Sequence, residues 1–152
     1  MTNQEKIQWC IDQHKNTNHY YDQYLPYEFH LRMVVQAANN FINICENSCE
    51  GDIDYYVENI ILASWGHNEK GKNRNERAND KYYEGIRETD GAVFVKLCDR
   101  IANVQYSKMT KSRMFEMYKK ENVHFMDMLG WNGSPTHVYF KMFQYLIKLF
   151  ED

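Results

Sequence analysis

The sequence predicts an all-helical protein, and three observations carry the prediction. Two prolines and seven glycines in 152 residues leave too few turn-formers for a sandwich or barrel, whose short strands each need a reversal. Apolar side chains recur three and four residues apart through almost every segment, the period of one helix face. Apolar residues make up 43% and charged residues 26% of the chain, a balance that builds a packed core rather than a disordered polymer. The length suits one domain that folds without disulfides or metal.

The elements follow in order. Residues 4–14 set Ile7, Cys10, Ile11 and His14 on one stripe. A loop rich in Asn, His and Tyr leads to Leu25 and Pro26, and proline suits the first turn of a helix. That helix is expected to reach about residue 45, with Phe29, Met33, Val34, Ala37, Phe41, Ile44 and Cys45 facing inward. Asp52 is placed to cap a third helix, which carries Ile53, Tyr56, Val57, Ile60, Ile61 and Ala63 towards Trp65. A polar helix over 75–88 would face Ala78, Tyr82 and Ile86 inward. After the break Thr89-Asp90-Gly91 comes the most apolar helix, 92–107, with Phe94, Leu97, Cys98 and Ile101. Helices over 112–129 and 134–150 complete the set, capped by Thr110 or Ser112 and by Ser134 before Pro135. Their Met and Phe residues at helical spacing read as core filler.

Charge and cysteine content narrow the function. The net charge is −3 and the pI about 6.1, which excludes a general nucleic-acid binder with its basic face. A small phosphorylated ligand held by a few local Lys or Arg is compatible. No segment approaches the ~18 continuous apolar residues of a membrane span, and "MTNQEKIQWC" has no apolar signal core. A cytoplasmic protein with free thiols is expected. Cys45 and Cys49 lie four apart, but no second Cys or His pair at zinc spacing accompanies them, so they read as free thiols.

Three polar residues stand inside otherwise apolar helical segments: His30, His67 and Asp99. A carboxylate in "FVKLCDRIANV" is costly unless paired or bound to a cation. Lys96 and Asn103, three before and four after Asp99, share its face. Taken singly, each polar residue has a plain reading, a satisfied core histidine or an Asp99 paired with Lys96 or Arg100. Taken together, two His and one Asp on three helices make a plausible site for a borderline-to-hard divalent cation.

The stretches "LPYEFHLRMV", "ILASWGH" and "GAVFVKLCDRIANVQ" resemble the HD-domain phosphohydrolases, and within them the RelA/SpoT-type hydrolase domain and the small alarmone hydrolases. The likeness spans most of the chain, is closest in "VKLCDRIANV", and departs at Leu31, where relatives have Pro. It implies an HD-domain helical bundle over residues 1–152. His30, His67 and Asp99 match three of four metal ligands, a centre that usually holds Mn²⁺ in this branch. Asn103 matches a nucleotide-contacting Asn. Tyr21 falls where relatives stack an Arg on the base, a role a Tyr ring can also fill. Gln105 replaces another Arg.

The family's fourth ligand is an Asp directly after the second His, followed by an acidic pair. Here Asn68 follows His67, and "NEKGKNRNERANDKYYEGIRET" resembles a later turn and helix of the family. The resemblance therefore implies that a segment of about one loop and one or two helices is missing between residues 67 and 68. Two explanations compete, a true deletion and a segment of the natural polypeptide not represented in these 152 residues; the second is favoured. Lys70, Lys72, Arg74 and Arg77 cluster just beyond the junction, as pyrophosphate holders or as a solvated helix start.

The resemblance implies a Mn²⁺-dependent pyrophosphohydrolase that converts (p)ppGpp to GDP or GTP and pyrophosphate. Its catalytic acidic pair is not visible in this sequence. Other nucleotides remain open as substrates, as does a degenerate nucleotide-binding protein if the segment is deleted. An antitoxin role towards a cognate alarmone synthetase is one implied partnership. The many Tyr and Phe leave a homo-oligomer open.

Overall fold

The computed structural model describes residues 2, 4–5, 8–9, 11–12, 20–21, 25–41, 76, 78–89 and 91–151. Helices dominate them, as the periodicity predicts. Residues 4–5, 8–9 and 11–12 are helical, as expected for residues 4–14, and Ile11 is buried. A two-residue antiparallel ladder follows, β1 (Tyr20–Tyr21) against β2 (Leu25–Pro26), with Tyr20 opposite Pro26 and Tyr21 opposite Leu25. The helices described from end to end are α1 (Tyr27–Asn40), α2 (Asp80–Glu88), α3 (Ala92–Met109), α4 (Met114–Met128) and α5 (Phe140–Leu149). The predicted helix from Asp52 to Trp65 lies outside the described residues, as do Cys10, Cys45 and Cys49.

α1 starts directly after Pro26, whose ring suits an extended residue ahead of a helix. Its buried positions are His30, Val34 and Ala37, spaced four and three apart as one face requires. Phe29 does not join them. It is 39% exposed and touches the edge of Tyr106 at 5.9 Å, because it sits one position round the helix from the buried stripe.

α2 is shorter than expected. Asn79 accepts the Tyr82 N–H at 3.0 Å and so sets the N-terminus, the ordinary work of an N-cap. Tyr83 and Ile86 are its buried residues, while Tyr82 is half-buried. The turn to α3 runs through Gly91 at φ +75, a left-handed position that favours glycine.

α3 is the hub, packing against α1, α2, α4 and α5. Phe94, Leu97, Cys98, Ile101 and Val104 are almost wholly enclosed, and each large apolar side chain contributes about 1.5–3 kcal/mol of burial. Phe125 of α4 and Met142, Phe143 and Leu146 of α5 complete the core, so these Met and Phe residues are filler as read. Arg100 is also buried, its Nη1 donating to Glu121 Oε2 at 2.9 Å while its guanidinium lies 4.0 Å from the centre of the Phe125 ring and 4.8 Å from that of Tyr118.

α3 runs past residue 107 to Met109. Thr110 closes it, its hydroxyl donating to Tyr106 O, and does not cap α4. Ser112 does help there, its hydroxyl oxygen accepting the Met114 N–H at 3.2 Å. α5 begins at Phe140, not at Ser134. Residues 132–139 are instead held by local bonds: Ser134 N–H donates to Asn132 Oδ1, and Tyr139 N–H to His137 Nδ1. Such side-chain acceptors satisfy the backbone before a helix can. At the far end of α5, Lys108 Nζ donates to Leu149 O and Glu151 O.

Candidate functional site

Asp99 stands on the α3 face that meets α1. Its Oδ1 lies 2.7 Å from His30 Nε2, the distance of an imidazole N–H donating to a carboxylate, and its Oδ2 lies 3.4 Å from Lys96 Nζ. The His30 side chain is 3% exposed and that of Asp99 29%, so the pair opens on the carboxylate side. The pairing with Arg100 does not occur, because Arg100 is turned to Glu121.

Electrostatics keep the carboxylate charged. Burial alone would raise the Asp99 pKa. The Lys96 ammonium, the hydrogen bond and charge of His30, and Arg100 outweigh it and hold the carboxyl well below its usual range. Burial would lower the Lys96 pKa, and Asp99 with Tyr82 reverses that, so the ammonium is held charged. The Lys96 Nζ also lies 5.5 Å from the centre of the Tyr82 ring, within cation–π range.

Tyr21 and Asn103 join this pair. The Tyr21 ring stacks on His30 at 4.7 Å and 14°, and its hydroxyl donates to Asn103 Oδ1 at 2.8 Å. Tyr106 meets the Tyr21 ring edge-on at 5.0 Å. Four of the residues singled out from the sequence, Tyr21, His30, Asp99 and Asn103, thus form one continuous set. Tyr106 was missed, although its place three residues after Asn103 on the same helix face was a signal. Gln105 turns away and donates to the Tyr145 hydroxyl of α5, so it serves helix packing.

His67, Asn68, Lys70, Lys72, Arg74 and Arg77 lie outside the described residues. Among the described residues no group of three or more His, Cys, Asp and Glu could hold a metal ion. The two donors that are described, His30 and Asp99, are hydrogen-bonded to each other at 2.7 Å, so a cation between them would have to displace the proton on His30 Nε2. Among the described residues no helix is long and apolar enough to cross a membrane. No family model, curated protein or solved structure matches this chain.

Proposed function

We propose that the chain is a metal-dependent nucleotide pyrophosphohydrolase of the HD-domain type, acting on (p)ppGpp or a close relative. One observation carries the reading: His30, Asp99, Asn103 and Tyr21, brought from α1, α3 and β1, meet in one set around an ionised carboxylate. What supports the reading is that a buried histidine and a charged Asp, both of metal-ligating type, are brought together from α1 and α3. His30 and Asp99 would hold Mn²⁺ with His67. Once bound, the ion supplies Lewis acidity and makes water a nucleophile near neutral pH.

The chain's own groups do the rest. Asn103 offers an amide to a sugar or base edge once the Tyr21 hydroxyl releases it. Tyr21 offers an aromatic face, now on His30, to a purine. Lys70, Lys72 and Arg74 bring cationic charge to the pyrophosphate. The test is incubation of ppGpp with the chain and Mn²⁺. GDP and pyrophosphate should form, and chelation or His30→Ala should stop them. Absence of turnover with ppGpp, ppApp, NADPH and deoxynucleotides alike would remove the hydrolase reading.

A second reading rests on Asn68, which follows His67 where a ligating Asp and then an acidic pair would stand. Without a water-orienting carboxylate, hydrolysis should fall about 10²–10⁴-fold, leaving a nucleotide-binding protein. Binding of ppGpp without turnover selects it. The mass of the natural polypeptide is a direct check: about 3 kDa above 18.3 kDa would mean a further segment of about 25–30 residues.

A further inference from the structure

We infer that Asn132 is a site of spontaneous covalent modification: the Gly133 backbone nitrogen closes on its side-chain amide, ammonia leaves, and water opens the ring to an aspartyl or isoaspartyl residue. The inference stands apart from the hydrolase reading and needs neither a metal nor a nucleotide.

Asn132-Gly133 is the one Asn-Gly pair among the 152 residues. A glycine after an asparagine leaves the linking backbone nitrogen unshielded, because no side chain stands in the way of a close approach. The fold puts this pair in the open. Asn132 and Gly133 are exposed and lie between α4 and α5, outside any helix. Gly133 has φ +75, and an added Cβ there would meet no atom within 4 Å. No acceptor among the described residues takes the Gly133 N–H. Asn39, Asn40, Asn103 and Asn122 are held in helices instead, and Asn79, which caps α2, is followed by the side chain of Asp80.

The side chain is also oriented for attack. Asn132 Oδ1 accepts the Ser134 N–H at 2.9 Å, which folds the amide back over the peptide that follows it. Negative charge collects on Oδ1 as the nitrogen adds, and a donor already aimed there stabilises it. The flanks are fixed as well: Trp131 N–H donates to Met126 O at 2.9 Å and His137 N–H to Ser134 O at 3.1 Å. Holding the reacting groups in this way lowers the entropic part of the barrier. In the first step a bond forms between Gly133 N and Asn132 Cγ, the bond from Cγ to Nδ2 breaks, and the Gly133 amide proton leaves with Nδ2 as ammonia. In the second, water adds to one of the two ring carbonyls, the bond from that carbon to Gly133 N breaks, and the nitrogen takes a proton from the water. Cleavage at Cγ gives aspartate in the ordinary chain. Cleavage at the main-chain carbonyl gives isoaspartate, with the backbone rerouted through Cβ and Cγ. Either product turns a neutral amide into a carboxylate, and nothing is oxidised or reduced.

The experiment is timed incubation of the full 152-residue chain, folded and at mildly alkaline pH, read by intact mass and by fragmentation of the tryptic peptide that carries residues 121–141. The wild type should gain about 1 Da, the difference between an amide and a carboxyl group. Fragmentation should place most of the gain at Asn132, in both aspartyl and isoaspartyl forms. Asn132→Gln should cut the gain at that position about 10-fold or more, since the longer side chain takes its carbonyl carbon out of near-attack range. Gly133→Ala, which shields the nitrogen, should slow it as well. The wild type decides the matter if a variant does not fold. A gain placed first at another asparagine, or none at Asn132 in the time the urea-unfolded chain takes to react there, would overturn the inference. So would Asn132→Gln gaining mass at the wild-type rate.

Discussion

Asp99 and Arg100 are neighbours in sequence, both charged, in one apolar helix, yet they serve different ends. Consecutive residues point about 100° apart on a helix, which sends Arg100 towards α4 and Asp99 towards α1. Arg100 is 5% exposed, enclosed by Tyr118 and Phe125 and paired with Glu121. Its planar cation has rings on its faces and a carboxylate at its edge, the setting in which buried guanidinium is stable. Asp99 faces the solvent-accessible side, with one partner held tightly and one at 3.4 Å. Arg100 ties two helices together. Asp99 joins α3 to α1 through His30 and stays charged beside Lys96. A buried charge is thus informative about function only after its partners have been counted.

Substitutions can break that contrast, and the largest effect belongs to Arg100. Arg100→Met removes the ion pair with Glu121 and the contacts with the Tyr118 and Phe125 rings. Unfolding in urea should show a loss of about 3 kcal/mol, while Mn²⁺ affinity of the folded fraction should hold. Asp99→Asn should do the reverse. Its stability cost should stay near 1 kcal/mol, because the amide oxygen still accepts from Lys96, and titration should show Mn²⁺ affinity down on the order of 100-fold. Equal stability losses from the two substitutions would erase the distinction.

Smaller changes sharpen it. Tyr21→Phe keeps the ring on His30 and deletes the donor to Asn103, so it should cost about 0.5–1.5 kcal/mol of stability. If Asn103 contacts the nucleotide, the same variant should bind nucleotide at least as well, since the competing hydroxyl is gone. The smallest effect is confined to high pH. Burial raises the Tyr83 pKa above its ordinary value, with Arg100 and Lys96 opposing. The folded state therefore holds the phenol proton more tightly than the unfolded chain. That contribution is whole below the unfolded pKa of about 10 and is lost as pH rises through the folded value. Tyr83→Phe should flatten the alkaline side of the stability–pH curve and leave neutral pH nearly unchanged.

Much of this was legible in the sequence. α3 was readable because Phe94, Leu97, Cys98 and Ile101 repeat at helical spacing between a glycine break and a threonine. His30 and Asp99 were readable because a polar side chain in an apolar run is an exception that needs a partner. The start of α5 was not, since Ser134-Pro135 is a sound helix-start signal that lost to bonds made by the Asn132 and His137 side chains. Tyr82 and Tyr83 exchanged roles for a related reason: Asn79 sets the start of α2, and packing against Phe125 and His124 then decides which ring is enclosed. Lys96 was visible as a neighbour of Asp99, but its anchor on Tyr82 depends on how two helices cross.

The contact between His30 and Asp99 spans 69 residues of chain, and that separation orders events in time. α2 to α5 are contiguous and can collapse on one another through short connections. Bringing α1 onto α3 closes a long stretch of chain, at about 4 kcal/mol plus a constant in chain entropy, before its contacts with α3 repay it. The His30–Asp99 contact is therefore made in the step that docks α1. A molecule in which α1 has come away keeps its hub and loses that contact, so amide exchange along α1 should report a single opening free energy.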